Sequence, residues 1–375
     1  MVPGLLTALL KAESLRPAVA SNRSRLAVLE VDEGSLLPLS RLLTEVDMVM
    51  VTNLFADQLD RYGSVTALAE RMKQALFNWP HATLILNADD PLVASFGHNR
   101  TPTYYFSIET ANNDSVAPEC KSGEIYLCPL CKQALQFSSR RYAHLGDFAC
   151  PACNFKRPES LCSSYLLPNK DRSGTRFLVC TPAEEVEFNS TLTGLYNVYN
   201  ITAALAAALV LKPKTKLSSL TPVVAAFRAP AGRTEHFIWP DRQKQGTLVL
   251  VKNPAGFNQA LTALADSKVA TLVVAINDLP ADGRDVSWLW DTYIDTIVAS
   301  DVFVICSGRR ANDVALCFKY HGLPLDKMAI VPAADKAVQA ALTSPGQNFV
   351  ILCNYTILMP LRNAVIKLGG QVYAA

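Results

Sequence analysis

Four of the chain's ten cysteines stand as two pairs, Cys128-Pro-Leu-Cys131 and Cys150-Pro-Ala-Cys153, with 18 residues between them. A Cys-x-x-Cys pair on a tight knuckle lets two thiolates reach one ion. Two such knuckles give tetrahedral all-sulfur coordination, which suits Zn2+. Four thiolates leave no position for water or substrate, so the predicted zinc is structural. The alternative is four unrelated reduced thiols. His144 lies between the pairs and is not needed as a ligand. Lys132, Arg140, Arg141, Lys156 and Arg157 flank the knuckles. Ribbons also occur in nucleic-acid binders, but a solvated surface is the expected place for these charges. A second candidate is Glu30 in Glu30-Val-Asp32-Glu33-Gly34, which ends the apolar run 26–32. A carboxylate at the carboxyl end of a strand in an open α/β sheet sits where ligands bind and can hold Mg2+. Acidic residues after strands are also common without that role. Asp285 precedes a helical stretch that begins near Val286, where Asp is a favoured N-cap.

These residues need elements to position them. The chain has 375 residues, enough for two domains, and half of them are apolar. The runs 26–32 (LAVLEVD), 46–54 (VDMVMVTNL) and 83–87 (TLILN) read as short apolar strands, and 64–78 has helical spacing. Alternating strands and helices predict a parallel α/β sheet. The pattern breaks near residue 107. The polar stretch from about 108 to 160 reads as an insertion with its own metal-dependent fold. Strand-like sequence resumes at 175–180, and a helix is predicted over about 197–211, ended by Pro213. Arg228-Ala-Pro-Ala-Gly-Arg233 looks like a linker. After it, LVLVKN, TLVVAIN, VFVICSG, MAIVP and NFVILCN are five buried-strand signals of a second parallel α/β domain. The net charge of +2, spread along the chain, opposes electrostatic capture of nucleic acid. No apolar run reaches membrane-spanning length, and the start lacks a basic n-region and cleavage site. Reduced thiols and no signal peptide imply a cytoplasmic protein.

Further motifs carry a resemblance. Thr52-Asn53-Leu-Phe-Ala-Asp57-Gln58-Leu-Asp60-Arg61-Tyr62 is similar to the T-N-x-x-x-D-H-L-D-R-Y signature of Mur ligases, with Gln58 in the place of His. Asn87-Ala-Asp89-Asp90 resembles their N-x-D-D motif. Gly194-Leu-Tyr196-Asn197-Val-Tyr-Asn200 resembles G-x-H-N-x-x-N, with Tyr196 in the place of His. Gly232-Arg233 resembles the family's G-R. The later half departs from ordinary Mur ligases: Leu250-Val-Lys252-Asn253-Pro254 stands where they read D-Y-A-H-N-P. The stretch from Asn277 through Asp285 to Trp288 and Asp291, Ser307-Gly-Arg-Arg-Ala311 and the cysteine insertion all look like the MurT-type subunit of lipid II isoglutaminyl synthase. The resemblance covers nearly the whole chain.

The resemblance implies a fold. A Mur-ligase-like central parallel-sheet domain (1–227) would carry a zinc-ribbon insertion at about 120–160, and a C-terminal Rossmann-like α/β domain would follow (228–375). It also implies an ATP- and Mg2+-dependent amide ligase. ATP would phosphorylate the α-carboxyl of D-glutamate in the lipid II stem peptide, and ammonia would attack the acyl phosphate to give D-isoglutamine. Glu30, Asn53, Asn197, Asn200 and Arg233 are the implied ATP/Mg2+ residues. The ammonia would come from a GatD-type glutaminase partner, and Asp285 would complete that partner's Cys–His pair across the interface. Trp288 and Trp290 read as packing or interface residues. Contact with the membrane would be peripheral, through lipid II. Mur ligases also use a G-x-x-G-K-[ST] phosphate loop, and this chain contains no Gly-Lys dipeptide. In the family that loop lies upstream of the position matched by Met1. A truncated or mis-started chain is therefore expected, and with it poor ATP binding by the chain as written. An amino-acid-adding Mur ligase, a non-catalytic scaffold for the glutaminase and a nucleic-acid-binding ribbon are the competing classes.

Overall fold

The computed structural model describes residues 26–55, 63–109, 126–168, 174–228, 234–265 and 269–373. Asp57, Gln58, Asp60, Arg61 and Tyr62, and the Gly232-Arg233 pair, lie outside them. In chain order the first body holds α1 (Glu33–Ser40), β1 (Met48–Val51), α2 (Val65–Phe77), β2 (Thr83–Asn87), α3 (Pro91–Ser95) and β3 (Thr103–Glu109). The hairpin β4 (Gln136–Tyr142) and β5 (Leu145–Ala149) comes next. It is followed by β6 (Cys162–Leu166), β7 (Thr175–Cys180), β8 (Glu185–Ser190), α4 (Leu195–Leu211) and α5 (Thr221–Ala226).

The six strands other than the hairpin form one sheet in the order β1-β2-β3-β6-β7-β8. The first four run parallel, and β7 and β8 are antiparallel additions. Successive residues of β2 point to opposite faces. Leu84 and Leu86 pack with Leu76 and Met72 of α2, while Ile85 packs with Val198 and Tyr199 of α4. Ser64 starts α2 by accepting the Ala67 amide at 3.1 Å.

The run 26–32 forms no strand. Its backbone is irregular, with Leu26 67% and Val28 84% exposed. A strand requires a ladder partner, and among the described residues β1 pairs only with β2. Asp32 instead caps α1, accepting the Ser35 amide at 2.9 Å. Glu30 therefore sits on exposed irregular backbone and not at a strand end.

The second body holds β9 (Thr234–Trp239), β10 (Lys244–Leu250), α6 (Pro254–Ala265), β11 (Thr271–Ala275), α7 (Asp295–Val298), β12 (Phe303–Ser307) and α8 (Ala311–Tyr320). β13 (Met328–Ile330), α9 (Ala334–Thr343), β14 (Asn348–Cys353), α10 (Tyr355–Lys367) and β15 (Gln371–Tyr373) complete it. Its sheet has the order β13-β12-β11-β14-β10-β9-β15. The five strands predicted from apolar runs are the parallel ones, β10 to β14. β11 is buried throughout because both faces are covered. Leu272 and Val274 face the layer holding Phe257 and Phe318, and Val273 and Ala275 face Val338 and Leu361. β9 and β15 are antiparallel additions at one edge.

Candidate functional site

The cysteine pairs sit on two turns. Cys128 N–H donates to Gln133 O at 2.7 Å and Lys132 N–H to Cys128 O at 2.9 Å, with Lys132 at φ +65° closing the first knuckle. Cys150 N–H donates to Phe155 O at 2.8 Å in the second. The four sulfurs lie within 4.8 Å of one another, with Cys128–Cys153 at 3.6 Å and Cys131–Cys150 at 3.4 Å. A tetrahedron of Zn–S bonds of about 2.3 Å has sulfur–sulfur edges of about 3.8 Å, so the donor set fits that ion. Desolvation pushes the Cys150 thiol up. The amides of Ala152 and Cys153 and the neighbouring sulfurs of Cys131 and Cys153 outweigh it and bring Cys150 down to about 7. Backbone amides aimed at sulfur favour the thiolate that a metal requires.

The hairpin carries its bulky residues in two directions. Leu135, Phe148 and Phe155 pack around the knuckles with Ala94 of α3. Leu145, at the tip, is fully buried in the core of the first sheet. Arg140 lies over the Tyr126 and Phe137 rings, at 4.2 and 4.6 Å. The expectation of a solvated basic face fails for Arg141 and Arg157. Their side chains are 1% and 17% exposed, because buried carboxylates require countercharge. Only Lys132 and Lys156 of that set are exposed.

Those carboxylates belong to the Asn87-Ala-Asp89-Asp90 turn after β2. Asp89 is fully buried. It accepts Arg157 Nε at 2.6 Å, the Tyr199 hydroxyl at 2.7 Å and the Ile108 amide at 2.9 Å, with Arg141 at 3.9 Å. Burial pushes its carboxyl up, while Arg157 and then Arg141 pull against it. Arg157 also reaches Glu109 at 2.6 Å and Asp147 at 3.0 Å. Asp90 caps α3 through Leu92 N–H, accepts Leu54 N–H at 2.8 Å and pairs with His144 Nε2 at 3.1 Å. His144 thus serves Asp90 and is no member of the cysteine cluster. Sequence reading named the N-x-D-D motif but not this network, whose contacts join residues as far as 110 apart in the chain.

A cavity of about 900 Å3 lies between the two bodies. One wall is α4, with Tyr196, Asn197 and Asn200. The other holds His236, Tyr373 and the Glu235–Arg362 pair, in which Nε lies 2.9 Å from both carboxylate oxygens. Burial lowers the His236 pKa and so disfavours its charged form. Asn197 Nδ2 donates to Thr193 O at 2.7 Å, and Asn200 is exposed to the cavity. Glu30 and Asn53 do not line this cavity; Asn53 follows β1 at its carboxyl end, beside a smaller hollow. Arg233 is outside the described residues.

Asp285 is exposed on a loop after β11. Its Oδ1 accepts the Ser287 amide at 2.8 Å, ahead of a 3-10 turn over Ser287–Asp291. The predicted helix after Val286 is therefore a single short turn, capped from two residues away. The loop is pinned at several points. Asp282 accepts the Thr356 amide at 2.8 Å at the start of α10. Asn277 Oδ1 accepts the Arg309 amide at 3.0 Å, and Arg309 Nε meets Asp278 at 2.7 Å. Trp288 packs against Phe257 with ring centroids 6.0 Å apart. Trp290, 45% exposed, lies against Tyr320 at 5.9 Å.

Residues 250–358 match the MurT ligase C-terminal family and 10–139 the Mur ligase middle domain. The chain is 30% identical over 366 residues to the lipid II isoglutaminyl synthase (glutamine-hydrolyzing) subunit MurT of Streptococcus pneumoniae, covering 96% of this chain and 78% of that one. It is 28% identical to the same-named subunit of Staphylococcus aureus, covering 93% and 77%. Among solved structures, a pseudomurein peptide ligase type C from Methanothermus fervidus aligns with a TM-score of 0.68 at 22% identity, covering 86% of this chain and 64% of that one. MurF from Thermotoga maritima, in complex with ADP, aligns with a TM-score of 0.57 at 14% identity, covering 89% and 64%. Those two show a shared α/β fold. Taken with the MurT relatives, they place the fold among the Mur ligases, and the chain belongs to the MurT family of subunits of lipid II isoglutaminyl synthases.

Proposed function

We propose that this chain is the ligase subunit of a glutamine-hydrolysing lipid II isoglutaminyl synthase. It would transfer the γ-phosphoryl group of ATP to the α-carboxylate of D-glutamate in the lipid II stem peptide. Ammonia then displaces phosphate from that acyl phosphate, leaving the carboxamide of D-isoglutamine. The observation that carries this reading is the identity to MurT relatives, which runs through both sheets and over 96% of the chain.

The division of labour we propose is a central domain over 1–227, with the ribbon at about 120–160, and a C-terminal domain over 228–375. The nucleotide would lie in the cavity between them, against Asn197 and Asn200, with Arg233 arriving from the connection. Glu30 and Asn53, which lie outside that cavity, would serve Mg2+ from the side of β1. Supporting this is the position of α4, which turns Tyr196, Asn197 and Asn200 toward the second body. Zn2+, held by Cys128, Cys131, Cys150 and Cys153, would supply structural cross-linking and no reaction step. A GatD-type glutaminase is the proposed partner, with Asp285 fixing that partner's catalytic imidazole. No helix among the described residues is long and apolar enough to cross a membrane. The reading places the protein in the cytoplasm, meeting lipid II at the membrane surface.

The test uses the protein purified from its own cells together with its glutaminase. Lipid II, ATP, Mg2+ and glutamine are supplied, and the product is read by mass spectrometry. Conversion of one carboxylate of the stem peptide to a carboxamide, dependent on ATP, is expected. Addition of an amino acid instead, or ATP-independent conversion, would overturn the reading.

A further inference from the structure

The ribbon is folded onto the first body through its charges and its tip. Arg157 follows the second knuckle by four residues, and its guanidinium bridges Asp89 and Glu109, both at 2.6 Å, and Asp147 at 3.0 Å. Arg141 approaches the same three carboxylates from β4, at 3.9 Å from Asp89, 3.3 Å from Glu109 and 3.0 Å from Asp147. At the hairpin tip, the Gly146 amide donates to the Asp89 carbonyl at 2.9 Å. A Cβ on Gly146 would stand 2.2 Å from Ser139 O across the hairpin, so only glycine fits at this point of β5. His144 holds Asp90, and Phe55 packs on the rings of both His144 and Tyr142, at 5.0 and 5.3 Å. The chain of contacts then leaves the ribbon. Tyr199 donates to Asp89, and Tyr199 lies on the first turns of α4 between Asn197 and Asn200.

We propose that the ribbon is a clamp on the ligase site: Arg141, Arg157 and His144 hold the Asp89–Asp90 turn, and Asp89 in turn fixes through Tyr199 the start of α4 that carries Asn197 and Asn200. Arg157, Asp89 and Tyr199 are positioning residues. A metal bound at the knuckles therefore acts on the nucleotide cleft at a distance, by keeping Arg157 where Asp89 needs it. Gly194, at φ +93°, has no side chain to cap α4. The helix start is held by Asn197, which donates to Thr193 O at 2.7 Å, and by the Tyr199 contact further in. The consequence for ligation rests on the proposed nucleotide role of the cleft; the clamp itself does not.

Hydrogen exchange at the amides of residues 195–200 tests the clamp without nucleotide. Arg157→Met, with zinc content unchanged by metal analysis, is expected to speed exchange there about tenfold. Asp89→Asn should act alike. The double variant should exchange no faster than the faster single variant, because both act through one contact. Multiplying effects, or unchanged exchange at 195–200, would overturn the proposal. If Arg157→Met does not fold, Arg157→Lys carries the test. It keeps the buried charge but loses the fork that joins Asp89 to Glu109, and about threefold faster exchange is expected. Chelating the metal from the unaltered protein should raise exchange at 195–200 as well; a rise confined to residues 126–157 would sink the clamp. If exchange behaves as expected but ADP fails to bind the protein purified from its own cells with its glutaminase, the cleft reading falls and the clamp stands.

Discussion

At the scale of single residues, the cysteines were legible because their chemistry is local. A knuckle needs only four consecutive residues, and the structure brings both pairs into one cluster. Purified protein should carry one zinc per chain, and Cys128→Ser with Cys150→Ser should abolish it and unfold the ribbon, since structural metal contributes folding free energy directly. Full zinc retention in that variant would refute the site. The Asp89–Arg157 contact spans 68 residues and has no local pattern to betray it. Arg157 looked like surface charge because nothing nearby in sequence shows its buried partners. The role of Asp285 toward a glutaminase rests on family likeness alone, and its capping bond to Ser287 uses one carboxylate oxygen. With the glutaminase bound, Asp285→Asn should lower glutamine hydrolysis at least about a hundredfold, because an amide stabilises a protonated imidazole poorly. Amidation fed by free ammonium should persist. Loss of both reactions would move Asp285 into the ligase site or the fold, and unchanged hydrolysis would leave it a turn cap.

At the scale of elements, strands buried on both faces announced themselves. β11, β12 and β14 are nearly unbroken apolar runs, β10 and β13 carry shorter ones and are only part-buried, and all five were anticipated. β8 and β9 were not, because each hides one face only and alternates along its length. The opposite error occurred at 26–32, where an apolar composition finds no ladder partner among the described residues. The hairpin tip offers a direct test of how the ribbon is attached. Leu145 is fully buried among Ile85, Phe106 and Tyr199 rather than in the ribbon's own core. Leu145→Ala should cost about 2–5 kcal/mol of stability for the first body. Chemical denaturation would read this, with zinc content as the control. A cost below about 1 kcal/mol would mean the tip merely rests on the sheet.

At the scale of the whole molecule, two α/β bodies face each other across one cavity, and the cysteine ribbon interrupts the first between two strands that are neighbours. β3 ends at Glu109 and β6 begins at Cys162, yet Phe106 pairs with Cys162 in parallel register. That pairing cannot form until residues 110–161 have been looped out, and the entropy of closing a loop rises with its length. A metal taken up early would fold the knuckles first and roughly halve the slack that remains, lowering the closure cost by about 0.6 kcal/mol. Refolding monitored at the first sheet should therefore run several-fold faster with zinc present than with a chelator, while the second sheet refolds at the same rate in both. Equal rates for the first sheet would show that the strands meet before the ribbon forms. A metal that touches no reactant would in this way decide how quickly the newly made ligase becomes competent, and cells short of zinc would accumulate half-folded chains before they lost any enzyme already assembled.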